Sequence, residues 1–219
     1  MGNSYHHENL RAALIERGRT LLLRDGYAQF SMRRLAAELG VSHAAPYRHF
    51  PSREELIGAI IREDGARFDR ALAAGVEDVS DPYERLYRLG EAYVFFFLDN
   101  PEVLHLFNAL PGQIALQGEA LATLFAAGFH GAEAHPEDCV SRTGNGNGCS
   151  DYPDDEGYTL LREATQPFAG RFAGLSDREI ILGYWAKVHG LASLLVGHTG
   201  VLPEEGLRDR VKVLVRTPF

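Results

Sequence analysis

Histidine and cysteine are the residue types in this sequence that could hold a metal ion or act as a nucleophile and its base. The residues open to such a role are His105, His130, His135, His189, His198, Cys139, Cys149 and Glu179. Their spacings match no zinc-binding pattern, and no glycine loop suited to a phosphate precedes a helix. We therefore expect no catalytic residue, metal or other cofactor, and a helical-bundle enzyme or metal sensor that uses His189 or Cys149 is the alternative hypothesis.

The segment from Ser31 to Phe50 has the layout of a helix-turn-helix. Ser31 caps a short helix, and Gly40 supplies the positive φ of the tight turn at residues 39–42. A second short helix is expected from Ser42 to His49. It would expose His43, Ala44, Ala45, Tyr47, Arg48 and His49. Small residues permit close approach to base edges and polar residues reach phosphates, so this pattern predicts a surface that enters a DNA groove.

The charge distribution agrees with an anionic partner at one end of the chain. The 219 residues have a formal net charge of -8. Residues 1–62 nevertheless have nine arginines against six acidic residues, a net of +3, and the remainder has 13 basic against 24 acidic residues, a net of -11. Because only the first part is basic, only that part is expected to contact nucleic acid.

The elements that must position the motif are all predicted to be helical, because no stretch shows period-two alternation. One helix runs from about Leu10 to a stop at Asp25-Gly26, and the capping pattern Ser52-Arg-Glu-Glu55 opens another. Further helices are expected at 81–98, 101–110, 114–129 and 158–172, from Ser176 to about Gly197, and from Pro203 onward, with a flexible loop at 131–157. No apolar run reaches the length of a membrane span and the amino terminus is polar, so we expect a cytoplasmic all-α protein without membrane contact.

Three stretches resemble one family of regulators. The sequence from Ser31 to Leu56 resembles the TetR family signature, and Tyr5 to Arg11 resembles the opening of one branch, except that Glu8 stands where glycine is usual. Trp185 with His189-Gly190 resembles the WHG-type carboxyl-terminal domain of that branch. The resemblance implies a DNA-binding domain at 8–68, with its motif at about 31–50, and an effector-binding and dimerisation domain at 80–217.

The same resemblance implies a role for individual residues. Positions that commonly touch phosphates are occupied by Ser31, Ser42, Tyr47, His49 and Arg53, and positions that face the groove by Arg33, His43, Ala44 and Ala45. It also implies a homodimer that binds a palindromic operator, acts as a repressor and is released by a small hydrophobic effector.

Two sets of residues in the second domain complete the prediction. In the helix after Ser176, residues that alternate spacings of three and four form a seam suited to helix pairing, and we expect dimerisation through Ile181, Tyr184, Val188, Leu191 and Leu195. An excess of aromatic residues in the neighbouring helices suggests an effector pocket, to which we assign Tyr93, Phe96, Phe107, Trp185 and His189.

Overall fold

The protein is all-helical in the computed structural model, which describes residues 3–109, 156–168, 170–172, 174–198 and 200–217. These residues form eight α-helices and no strand, which confirms the predicted fold class. The helices are α1 Asn3–Asp25, α2 Met32–Glu38, α3 Arg53–Val76, α4 Pro82–Asp99, α5 Pro101–Ala109, α6 Glu156–Thr165, α7 Asp177–Gly197 and α8 Leu207–Arg216.

The first three helices form an amino-terminal head around one apolar core. The hydroxyl of Ser31 accepts a hydrogen bond from the Arg34 amide at 3.5 Å and so caps α2. Gly40, at φ 67°, turns the chain after α2, as predicted. The residues that fill the core are Leu14, Leu21, Leu22, Met32, Leu35, Phe50, Leu56, Ile57 and Ile60.

The second element of the motif differs from its prediction. Residues 43–45 form a turn and Pro46–Arg48 a short 3-10 helix, where an α-helix from Ser42 to His49 was expected. Pro46 explains the difference, because proline has no amide hydrogen to donate to the carbonyl of Ser42. The chain instead closes tighter bonds, from the Ala45 amide to Ser42 and from the His49 amide to Pro46.

Helix α3 belongs to both the head and the body that follows. The Ser52 hydroxyl caps its first turn by accepting from the Glu55 amide at 3.1 Å. Its first half packs on α1 and its second half packs on α4 and α6. Any rotation of the head against the body must therefore act through this helix or bend it.

A buried carboxylate lies at the middle of α3. Asp64 is fully buried, and its two oxygens accept hydrogen bonds from Arg19 of α1 at 3.1 Å and from Arg67 at 3.2 Å. Arg67 also donates to the Asn100 side-chain oxygen at 2.7 Å, and the Asn100 amide donates to the Phe96 carbonyl at 2.8 Å. We call these residues the α3 joint, since they connect α1, α3 and the end of α4.

Helices α4 to α8 build the body, and two of its boundaries correct the prediction. The helix expected at 158–172 is α6, which ends at Thr165 and passes into a 3-10 helix, Gln166–Phe168, that contains Pro167. The final helix begins at Leu207 rather than Pro203, since Gly206 adopts a left-handed conformation at φ 71° just before it. The expected helix at 114–129 and residues 131–155 of the expected loop lie outside the described residues, and Glu156 and Gly157 already belong to α6.

Helix α7 packs on α4 and α6 through Ile181, Trp185, Val188 and Ala192, all buried. Ser176 caps it with both hydrogen bonds of the predicted capping box. By length and composition alone this helix could cross a membrane, and only 17% of its most apolar stretch is buried inside the protomer. Much of its apolar surface therefore faces away from the protomer's own core.

Candidate nucleic-acid interface and interior cluster

The turn and 3-10 helix at 43–49 present a convex exposed surface on the head. His43 and Ala44 are exposed, and Tyr47 leaves 53% of its surface open although it is a large aromatic residue. Pro46 and Phe50, by contrast, are buried and anchor the segment in the head. Buried residues thus anchor the segment to the head, while its exposed side chains are accessible to a partner.

Some arginines of the head form ion pairs with a neighbouring carboxylate and others do not. Arg17, Arg24 and Arg34 all lie within 4.0 Å of Glu38 or Asp25, at distances from 2.8 to 3.6 Å. Four exposed arginines of the head have no carboxylate within 4.0 Å among the side chains that the structure describes: Arg11, Arg33, Arg48 and Arg62. Because Arg33 and Arg48 lie within the helix-turn-helix, their guanidinium groups are the better placed to meet phosphates.

The structure divides the nine residues predicted to contact DNA. Arg33, Ser42, His43, Ala44 and Tyr47 are exposed, and Ala45 is half-buried. Ser31 is engaged as the cap of α2. Arg53 lies over the Tyr27 ring at 4.2 Å and donates to the Tyr27 carbonyl, and His49 is half-buried. The sequence predicts that Arg48 is exposed, but Arg48 is not among the nine predicted DNA contacts. The absence of a carboxylate partner in the described structure is visible only from the fold.

In the body, three of the five residues assigned to the effector form one buried cluster. The Tyr93 hydroxyl lies 2.9 Å from His189 Nδ1, and the Trp185 and His189 rings stack with centroids 5.1 Å apart. Burial raises the pKa of Tyr93, so its hydroxyl keeps its proton, and burial lowers the pKa of His189, so its ring is neutral near pH 7. We assign the hydrogen bond as Tyr93 donating to Nδ1, with the imidazole proton on Nε2 towards Ser193 at 3.4 Å.

The cavity beside this cluster is small. Its volume is about 20 Å³, room for about one water molecule, and Tyr93 and Trp185 line it with Leu72, Leu89 and Leu161 among others. Phe96 and Phe107 are buried elsewhere, Phe96 against the edge of Phe68 at 5.2 Å between ring centroids. The structure therefore brings Tyr93, Trp185 and His189 together and places Phe96 and Phe107 in the surrounding core, and the role of all five in effector binding stays a prediction.

The outward face of α7 is offset from the seam predicted for dimerisation. Ile181 and Val188 are buried in the protomer's own core, and Tyr184 donates to the Leu86 carbonyl at 2.6 Å. Leu191 and Leu195 are half-buried against the same core. The apolar residues left exposed on α7 and α8 are Leu182, Leu194, Val213 and Leu214. Spacings of three and four identify an apolar stripe but do not say which of two adjacent stripes faces inward.

Within the described residues, no group of three or more His, Cys, Asp or Glu side chains could hold a metal ion. His105 and His198 are exposed and far apart in the sequence. His130, His135, Cys139 and Cys149 lie outside the described residues.

The buried imidazole gives a testable pH dependence of stability. Because the folded pKa of His189 lies below its ordinary value, the unfolded chain takes up this proton first as the pH falls. We therefore expect full stability above about pH 6.5 and a loss below it, at most about 1.4 kcal/mol per pH unit for one proton. Urea unfolding between pH 7.5 and 5 should show this slope, and it should shrink in H189N but not in H105N, where the ring is exposed. Equal slopes in both variants would contradict the assignment.

The head resembles a known sequence family, and the whole chain resembles solved structures. The sequence model of bacterial regulatory proteins of the tetR family matches residues 14–60, which run from α1 through the motif into α3. An uncharacterized HTH-type transcriptional regulator of Mycobacterium tuberculosis is 32% identical over 104 residues, 46% of this chain and 52% of the relative. The chain thus spans about half the length of the curated relatives it matches.

Solved structures match over nearly the full length. A protein of unknown function from Rhodococcus sp. RHA1 shares 26% identity at a TM-score of 0.61, covering 98% of this chain and 97% of that chain. A protein from Saccharomonospora viridis in complex with choline has a TM-score of 0.58 at 18% identity, covering 95% of this chain and 96% of that chain, which shows a shared fold. Membership of the WHG branch stays a prediction. Since the family match covers the helix-turn-helix and the fold agrees along the chain, this protein belongs to the TetR family of bacterial regulatory proteins.

Proposed function

We propose that this protein is a DNA-binding transcriptional regulator that acts as a homodimer on a palindromic operator. On the analogy of its family it represses, and a small apolar effector releases it from DNA. The observation that carries the proposal is the exposed surface at 43–49, with Tyr47 open to solvent and two arginines that no nearby carboxylate neutralises in the described structure. A cytoplasmic location follows from this role.

The charge of the head supports phosphate binding at defined positions. Arg33 is on α2, and Arg48 ends the 3-10 helix, so the two cations flank the small side chains of the turn. A groove-reading segment needs this arrangement, because phosphate contacts fix its register while small residues admit it to the base edges.

Two neighbouring arginines provide a matched test of this surface. In R33Q we expect weaker binding to a duplex selected by the protein from a random library. The log-log slope of affinity against salt should fall by about two, one phosphate contact for each head of the dimer. R34Q removes an arginine that is already paired with Asp25 and Glu38, so its slope should match that of the parent protein.

Fluorescence anisotropy between 50 and 300 mM salt measures both slopes. Equal slopes for R33Q, R34Q and the parent would exclude Arg33 as a phosphate contact. If the parent protein selects no duplex from the library, the proposed DNA-binding function is contradicted.

Helix α7 supports the homodimer through three glycines seven residues apart. A side chain added at Gly183, Gly190 or Gly197 would meet no atom of the described protomer within 4 Å. Glycine inside a helix costs about 1 kcal/mol relative to alanine, so the protomer itself gives no reason for Gly183 and Gly190, while Gly197 ends the helix. Together with the exposed Leu182 and Leu194, they form a flat apolar surface on which the same helix of a second copy can pack closely.

A leucine at the middle glycine tests this packing. G190L adds a side chain in open space, so the protomer should fold as before, while the close helix contact should be lost and the dimer dissociation constant should rise at least about tenfold. A74L places the same side chain on an exposed position of α3 and should leave the dimer intact. Sedimentation equilibrium measures both. A parent protein that is monomeric at micromolar concentration, or a G190L dimer as tight as the parent, would contradict the proposal.

The effector step is supported by the location of the interior cluster next to the α3 joint. Leu72 of α3 lines the small cavity, and Asp64 lies two turns earlier on the same helix. A metabolite needs far more than 20 Å³, so its binding must part α3, α4, α6 and α7. Movement of α4 then reaches the head through Asn100, Arg67 and Asp64, and the spacing of the two heads changes.

Because coupling between two sites is reciprocal, DNA can replace the unknown effector as the probe. We expect the selected duplex to change the amide hydrogen exchange of residues 96–104 at least about threefold in the parent protein. N100A cuts the joint at α4 but leaves Asp64 with both arginines, so it should bind the duplex within about threefold of the parent and lose that change. N108A, an exposed asparagine on α5, is the control and should behave as the parent. An unchanged exchange pattern in the parent would contradict coupling through this joint.

No specific observation favours the alternative of an enzyme or metal sensor. Both ring nitrogens of His189 lie near hydroxyl groups of Tyr93 and Ser193 in a buried chain of neutral groups. The Ser193 hydroxyl lies 3.4 Å from Nε2, beyond the reach of about 2.6–3.2 Å for a nucleophile and its base, and with the imidazole proton assigned to Nε2 this nitrogen does not accept the hydroxyl proton.

A further inference from the structure

A ligand-sized groove lies on the surface of the body, and Tyr184 lines both this groove and the small interior cavity. The groove has a volume of about 580 Å³ and runs between α4, the described part of the connection from Thr165 to Leu175, the first half of α7 and the end of α8. This volume falls in the range of small-molecule sites, about 300–1,000 Å³. The interior cavity, at about 20 Å³, does not.

The walls of the groove are mainly aromatic and aliphatic. Tyr83 and Phe168 meet edge to face with centroids 4.7 Å apart, and Leu86 forms part of the floor. Phe172 and Leu175 line it with 52% and 47% of their surfaces exposed. Large apolar residues at such exposure in a concave site are typical of surfaces that bury the apolar part of a partner.

One exposed cation, Arg171, lies at the rim of the groove. Arg171 lies over the Tyr83 ring at 5.4 Å, with no carboxylate within 4.0 Å in the described parts of the chain. Lys187 donates to the carbonyls of Val215 and Thr217 at one wall.

The remaining charged groups of the groove have partners of opposite charge or hydrogen-bond donors. Arg216 is paired with Glu84 and Glu91. The carboxylate of Glu179, the acidic residue of the lining, is held by the Ser176 amide and hydroxyl. The groove therefore presents the guanidinium group of Arg171 beside an apolar surface, while Arg216, Glu179 and Lys187 are engaged by other groups of the chain.

We propose that this groove binds an amphiphilic anion, with its apolar chain on Phe172, Leu175 and Phe168 and its headgroup at Arg171. Charge complementarity selects the anion, since an ammonium headgroup would be repelled by Arg171. Of the surface assigned above to a second copy, Gly183 also lines the groove, whereas Leu182, Gly190 and Leu194 do not. Tyr184 lines both the groove and the interior cavity, and the groove takes no part in the effector step or the DNA surface proposed above, so the site goes beyond the proposed function.

Three probes of equal chain length test the headgroup. Isothermal titration of the full-length protein with dodecanoate, dodecan-1-ol and dodecyltrimethylammonium, each below its critical micelle concentration, should rank dodecanoate first by at least about tenfold. R171Q should weaken dodecanoate about tenfold and leave dodecanol unchanged, because only the charged headgroup uses the guanidinium. R70Q, which removes an exposed arginine of α3, is the matched control and should bind as the parent.

A second variant tests the apolar wall and distinguishes a small amphiphilic ligand from other occupants of the groove. F172S should weaken dodecanoate and dodecanol together while the protein keeps its oligomeric state in sedimentation. A dissociated F172S protein would show that the groove is an interface between copies and would overturn the proposal. Equal affinity for the three probes, or binding to anionic phosphatidylglycerol vesicles without binding to monomeric dodecanoate, would overturn it as well.

Discussion

The fully buried carboxylate of Asp64 is the constraint on which the arrangement of head and body depends. An ionised carboxylate can stay inside a protein only if charges and hydrogen-bond donors replace its water. Arg19 from α1 and Arg67 from α3 supply both, while burial still raises the pKa of Asp64 against their influence. The two arginines cannot move apart without leaving the carboxylate exposed to an apolar surrounding. Since Arg67 also holds Asn100 at the end of α4, directional bonds fix the position of the head against the body in addition to the apolar core that runs along α3.

Much of the fold followed from local signals in the sequence. Ser31, Ser52 and Ser176 cap helices where the pattern predicted, and Gly40 turns the chain at a positive φ. These features depend on neighbouring residues alone, so a sequence reveals them. Two helix boundaries were predicted wrongly. The start of α8 was placed at Pro203 from a cap pattern, but Gly206 is in a left-handed conformation and the helix begins after it. The end of α6 was placed too late from apolar periodicity, but the chain passes into a 3-10 helix that contains Pro167.

The candidate sites were only partly predictable, because their residues are defined by contacts across the chain. Tyr93 and His189 are 96 positions apart, and aromatic composition indicated their helices but not which rings meet. The sequence could not tell that Glu38 and Asp25 neutralise three arginines of the head, while Arg33 and Arg48 of the motif have no carboxylate partner in the described structure. Nor could it choose between the two apolar stripes of α7, since the choice depends on how Gly90 of α4 admits Tyr184, Val188 and Val215 at close range.

In the proposed function, Pro46 affects how the exposed segment at 43–49 would select its DNA target. Its ring fixes φ and its neighbours close short backbone bonds around it, so the segment has few alternative conformations before any partner arrives. A pre-organised reader loses little conformational entropy on association, and it has little freedom to adapt its shape to a target that fits badly. Discrimination then rests on rejection: a sequence whose groove width or phosphate positions depart from the preferred form must bear the deformation in the DNA itself. The short proline-containing turn therefore makes this surface selective through its stiffness as well as through the side chains it exposes.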